Sequence, residues 1–242
     1  MSTAGRSSRR SLTVTAAAVL AAAVIGFVVF INTGYKADEH ALECLGSDAD
    51  VTVSETEYGW LFDGPGETDA LIFYPGARVE ASAYAPLLHE LAAQGLDVCL
   101  VRMPLDFAFM GMDKADGVME LYSYDNWYIG GHSLGGAMAA RYAASNGDAL
   151  QGVILLAAYP TAPLDEDLTA VVLVGSEDTV INGESLSDGR QYYPDNVTEV
   201  TIEGGNHAQF GSYGEQRGDG TASIPAEEQV EQSVEIIIDN LR

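Results

Sequence analysis

Short, nearly all-apolar runs alternate along this chain with segments whose apolar residues recur at helical spacing, and no other feature restricts the fold as tightly. "DALIFY" (69–74), "LDVCLVRM" (96–103), "NWYIGG" (126–131), "LQGVILLAA" (150–158) and "TAVVLVG" (169–175) have the length and β-branched content of strands buried on both faces. "VTEVTIEG" (197–204) supplies a last strand, and "DVTVSE" with "YGWLFD" an early pair. Between them, Ser82 to Gln94 sets Tyr84, Leu87, Leu88 and Leu91 on one helical face, with Ser82 as N-cap and Gly95 as terminator. The terminal stretch from Pro225 to Leu241 does the same with Val230, Val234, Ile237, Ile238 and Leu241. Strand and helix in alternation predict a doubly wound, mostly parallel α/β sheet with right-handed crossovers. In such a sheet, reactive groups gather at the carboxyl ends of the strands.

The 242 residues suffice for one domain of this kind and leave no room for a second catalytic one. Residues 12–31, "LTVTAAAVLAAAVIGFVVFI", are uncharged and as a helix would span about 30 Å, the hydrocarbon thickness of a bilayer. Arg6, Arg9 and Arg10 precede them, so 1–11 is expected as a cytoplasmic basic tail and 12–31 as a signal anchor that exports the rest. The alternative is a cleaved signal, disfavoured by "NTGYKA" at the exit. Residues 32–50 are polar and acidic, as a tether would be, and 51–242 form the predicted catalytic domain.

All 36 acidic residues but only 8 of the 11 basic ones follow the apolar segment, a net charge of −28 for the exported part. Such a field repels nucleic acid and anionic headgroups, which excludes nucleic-acid binding and leaves the N-terminal helix as the only expected membrane contact. Cys44 and Cys99 could pair in an oxidising compartment, though Cys99 also reads as a buried free thiol. No His/Cys cluster has metal-ligand spacing.

"GGHSLGG" places Gly131, His132, Ser133, Leu134 and Gly135 as G-x-S-x-G between a strand and a helix. A sharp strand-to-helix turn strains the serine backbone and needs small residues two positions either side, so Ser133 is the candidate nucleophile. The competing reading is a helix-capping serine in a glycine-rich turn. A serine hydroxyl needs a base, and there are four histidines. His40 sits in the tether, His89 lies mid-helix, and His132 should point away from its neighbour's hydroxyl. His207, in the loop "GGNHAQF" after the last strand, remains. Asp178, just past strand 169–175, is the candidate acid, with Glu177 as fallback. The order Ser, Asp, His belongs to one arrangement of this triad among the known folds. Oxyanion donors are expected from the N–H of Leu134 and of Ala77, the latter in a loop that Gly76 lets bend.

With these residues placed, the chain resembles the α/β-hydrolase superfamily. Its likeness is to a compact bacterial branch marked by "YPGARVEASAYAPLLHELAAQG", "RMPLDFAF", "GGHSLGGAMAARYA", "GGNHAQFGSYG" and "GDGTASI". The resemblance implies Ser133 as nucleophile, Asp178 as acid, His207 as base, and Ala77 and Leu134 at the oxyanion hole. Dienelactone hydrolases are similar in size and order but carry cysteine where Ser133 stands, which points to ester-type substrates. Only "YPTAPLDEDLTA" separates two central strands where larger relatives carry a lid, so an open site for small or extended acyl substrates is expected. No metal or organic cofactor is implied. The expectation is thus an anchored, exported serine hydrolase. An acyltransferase or peptidase with the same triad, or a silent binding module, are the other readings.

Overall fold

Residues that must leave water on two opposite faces do so only in the middle of a layered structure, and the burial of each strand follows its place in the sheet. The computed structural model describes residues 21–22, 26 and 33–241. Its strands are β1 (Thr52–Glu55), β2 (Gly59–Asp63), β3 (Asp69–Tyr74), β4 (Asp97–Val101), β5 (Asn126–His132), β6 (Gly152–Leu156), β7 (Thr169–Gly175) and β8 (Asn196–Ile202). They form one sheet in the order β1-β2-β4-β3-β5-β6-β7-β8. β2 is antiparallel to both β1 and β4, and every later pairing is parallel. β4 and β6 are buried at every residue, whereas the edge strands β1 and β8 are largely open.

Six helices accompany the sheet among the described residues: α1 (Glu39–Glu43), α2 (Ala85–Ala93), α3 (Lys114–Leu121), α4 (Leu134–Asn146), α5 (Gly183–Gly189) and α6 (Ala226–Leu241). Successive residues of β3 go to opposite faces, as the two-residue period of a strand requires. Leu71 and Phe73 join one core with Leu87, Leu91 and Ile237 from α2 and α6. Ala70, Ile72 and Tyr74 join the other with Val118, Ala139 and Tyr142 from α3 and α4. The connection from β6 to β7, residues 157–168, contains no helix.

Two expectations are corrected, and the open question of the cysteines is answered. Ser82 does not cap a helix: Ala81–Tyr84 form a single 3-10 turn, and α2 starts at Ala85 with Pro86 in its first turn, where a missing N–H costs nothing. Cys44 and Cys99 are both free. Cys44 packs against the α2/α6 core while Cys99 lies in the α3/α4 core, so the sheet itself separates them. The segment expected to be a tether is docked from Tyr35 onward. Tyr35 pairs with Val79 as an isolated bridge, and the Ser212 hydroxyl donates to Asp38 at 2.8 Å, so Tyr35 to the C-terminus is one compact unit. The basic tail 1–11 and all but three positions of the apolar segment 12–31 lie outside the described residues. Within the described residues no helix is long and apolar enough to cross a membrane.

Candidate active site

The end of β5 turns into α4 at Ser133, whose backbone stands at φ 54°, ψ −123°. A non-glycine residue there is strained, and the surroundings must impose it. They do so by crowding. A Cβ on Gly131 would lie 2.4 Å from the Tyr74 carbonyl oxygen, and one on Gly135 only 2.1 Å from the same atom. The strand, the helix and the end of β3 therefore meet in a space only glycines leave. Ser133 occupies the N-cap position of α4, yet its side chain makes no capping hydrogen bond. The helix-capping reading is thereby set aside, and the hydroxyl is left at the tip of the turn.

Beyond β7, the backbone turns so that Asp178 Oδ1 accepts from the N–H groups of Val180 (2.8 Å) and Ile181 (2.9 Å). Those two bonds fix the carboxylate and leave Oδ2 to face His207 Nδ1 at 2.8 Å. The side chains are 0% and 2% exposed respectively, so this charge-assisted bond is shielded from water. With Asp178 ionised, Nδ1 carries the imidazole proton and Nε2 is an open acceptor. Nε2 is buried and has no partner among the described residues. Glu177, the fallback acid, is exposed and plays no part in this pair.

The loop that carries His207 is clamped on both sides of the imidazole. Asn206, just before His207, gives its N–H to Gln229 Oε1 and receives Gln229 Nε2 on its carbonyl, both at 2.9 Å. Ala208, just after, donates to Asp219 Oδ2 at 2.9 Å. Gly204 donates to the Ser176 hydroxyl and Glu177 to the Gly205 carbonyl, both at 2.8 Å, which ties the His207 loop to the Asp178 loop. Gln229 and Asp219 were not singled out from sequence. Gln229 left a trace there: with Ser233 it sits at four-residue spacing from Ile237, a polar pair on the apolar stripe of α6.

His207 meets the elbow through His132, the residue before Ser133, whose ring centroid is 4.5 Å from that of His207. No hydrogen bond joins the Ser133 hydroxyl to His207; what is brought together is the Asp178–His207 pair, packed beside the turn that carries the serine. His132 accordingly points into the protein, as expected of a neighbour of the candidate nucleophile. Burial above all, and then the adjacent His207 imidazole, push its pKa well below the ordinary histidine value.

Of the two expected oxyanion donors, Leu134 is the first residue of α4, where a helix has no internal acceptor for its N–H. Ala77 follows β3 in the segment 75–80. The bend there is not made by Gly76, as expected; Arg78 takes the left-handed conformation, φ 59°. Gly76 is needed for space. A Cβ on it would lie 2.8 Å from the Tyr84 hydroxyl and 2.9 Å from His132 Nδ1. Among the described residues no group of three or more His, Cys, Asp or Glu could hold a metal ion.

The geometry has many relatives. A superposition on a CIB-like hydrolase from Thermoplasma acidophilum gives a TM-score of 0.59 at 13% identity, covering 78% of this chain and 99% of that one. Est1E from Butyrivibrio proteoclasticus gives 0.54 at 15% identity over 80% and 99%. A dienelactone hydrolase from Anabaena variabilis gives 0.57 at 16% identity over 81% and 99%. No curated protein matches the sequence. The model of the alpha/beta hydrolase family matches residues 70–231, a span that runs from β3 through the elbow and both loops into α6. The chain belongs to the alpha/beta hydrolase family.

Proposed function

We propose that the chain is an exported serine hydrolase that cleaves carboxylic esters or related acyl bonds through Ser133, His207 and Asp178. The observation that carries this reading is the buried 2.8 Å bond between Asp178 Oδ2 and His207 Nδ1, with Nε2 unpartnered beside a strained serine. A side chain so arranged has one open function, to take a proton on Nε2. In this reading Ser133 Oγ attacks the substrate carbonyl as its proton passes to Nε2. The oxyanion is received by the N–H groups of Leu134 and Ala77. The leaving alcohol takes the proton back, and water repeats the sequence on the acyl-enzyme. Loss of one oxyanion donor costs about a hundredfold to a thousandfold in rate, so the loop after β3 matters as much as the triad.

Among the similar structures, Est1E is also described with ferulic acid bound, and another is a dienelactone hydrolase, both consistent with acyl-bond chemistry. The N-terminal segment belongs to the proposal: residues 1–11 stay in the cytoplasm, 12–31 anchor the chain, and the hydrolase domain works outside. Two measurements test it. The full chain should hydrolyse p-nitrophenyl acetate, and Ser133→Ala should lower kcat by about a thousandfold or more with the fold intact. Equal turnover by both would refute it. Retention of the domain in the membrane after an alkaline wash tests the anchor, and release of a shortened soluble product would overturn that part.

A further inference from the structure

We propose that Tyr84 and His132 act as one buried positioning pair that ties the loop after β3, which carries Ala77, to the loop after β8, which carries His207. This rests on the serine-hydrolase reading above. Neither residue touches the reacting atoms; their role is to hold two catalytic loops in one register.

Tyr84 and His132 are 0% and 1% exposed; Tyr84 Oη and His132 Nδ1 find partners within the protein, while His132 Nε2 has none among the described residues. The Gly76 N–H donates to the Tyr84 hydroxyl at 2.9 Å, and that hydroxyl lies 2.8 Å from His132 Nδ1. A phenol has one proton and its oxygen already accepts from Gly76. Its oxygen keeps a second lone pair, so the bond to Nδ1 holds whichever of the two groups donates. The His132 ring in turn packs on that of His207, with 4.5 Å between centroids. The chain of contacts thus runs from the amide next to Ala77, through Tyr84 and His132, to the residue that carries Nε2 of the base. Gly76 confirms how closely the parts fit, because a methyl there would strike both Tyr84 Oη and His132 Nδ1. A neutral His132 also suits the chemistry: a second cation so near would oppose protonation of His207 during acyl transfer.

A role confined to filling the core would alter stability alone, whereas a positioning role alters kcat without altering KM. The test uses the full chain in mild detergent, with p-nitrophenyl acetate as substrate. Tyr84→Phe removes one oxygen and keeps the ring; it should lower kcat about ten- to hundredfold, less than outright loss of an oxyanion donor, with KM within about twofold. His132→Asn can set its Oδ1 near the place of Nδ1 and accept from Tyr84, so it should keep kcat at least about tenfold above His132→Leu. Tyr84→Phe combined with His132→Leu should lose no more than the worse single variant, since a unit broken once is not broken twice. Folded Tyr84→Phe with wild-type kcat, or losses that multiply in the double variant, would overturn the pair. Should Tyr84→Phe not fold, the Asn and Leu variants decide alone, and equal kcat in those two overturns it. Wild type inactive on every ester, with no Ser133-dependent labelling by a fluorophosphonate, would instead remove the hydrolase reading on which the pair depends.

Discussion

Gln229→Met is the substitution whose effect follows most directly from the packing. Gln229 is 0% exposed on α6, and its amide closes a two-bond ring with the backbone of Asn206, at 2.9 Å in each direction. Methionine has nearly the same length and volume, so no cavity opens, but it can neither accept from the Asn206 N–H nor donate to its carbonyl. Two buried backbone groups are then unpaired at a cost of about 1–3 kcal/mol each. Partial relief by water reduces the sum to about 3 kcal/mol, which for a domain of this size lowers Tm by about 6–12 °C. His207 follows Asn206 directly, so kcat should fall with stability, by about tenfold or more. Differential scanning calorimetry beside ester hydrolysis reads both. Gln232→Met, one position off the apolar stripe of α6, should stay within about 0.5 kcal/mol of wild type and serves as control. A Gln229→Met protein melting within a degree or two of wild type would refute the clamp.

Three further outcomes follow from particular residues. Gly135→Ala puts a methyl 2.1 Å from the Tyr74 carbonyl oxygen and 2.4 Å from that of Pro75, both backbone atoms, so the elbow should not form and yield of folded protein on size exclusion should collapse. Asp97 is buried, and desolvation raises its pKa despite bonds from the Gly64 N–H and the Tyr124 hydroxyl. The folded state therefore holds that proton more tightly than the unfolded chain, and the Asp97 contribution to stability falls as pH rises past the usual carboxylate range; Asp97→Asn should flatten that part of the Tm-against-pH curve, and an unchanged curve would count against the burial argument. Burial pushes the Cys99 thiol up to about 12, so in native protein only Cys44 should react, slowly, with a thiol reagent, and both on unfolding. Thiols that react in the unfolded protein only after a reductant is added would contradict free cysteines.

The sequence made the centre of the sheet legible and its attachments obscure, for a physical reason. β3 and β7 fall on the residues their apolar runs predicted, Asp69–Tyr74 and Thr169–Gly175, because a strand buried on both faces has no polar position to blur its ends. The elbow was legible because crowding restricts Gly131 and Gly135 to one residue type. His207 and Asp178 were singled out by elimination and chain order. Their 2.8 Å bond depends on loops 29 residues apart, which no local pattern encodes. The docking of 35–50 was missed because it rests on contacts such as Ser212 to Asp38, 174 residues apart, while the local composition is that of a tether. The start of α2 was misplaced because Pro86 outweighs a capping Ser82. Tyr84 read as a core residue and His132 only as a side chain turned away from Ser133; the bond between them appears only when β5 and the 3-10 turn before α2 are brought together.

The measurement that bears most directly on the central claim is the site of covalent modification by a fluorophosphonate, mapped by mass spectrometry of peptides from the full chain. The account predicts a single adduct on Ser133, slowed at least about a hundredfold by His207→Ala and abolished by Ser133→Ala. A folded wild-type chain that takes no adduct, or takes it at another residue, would contradict it.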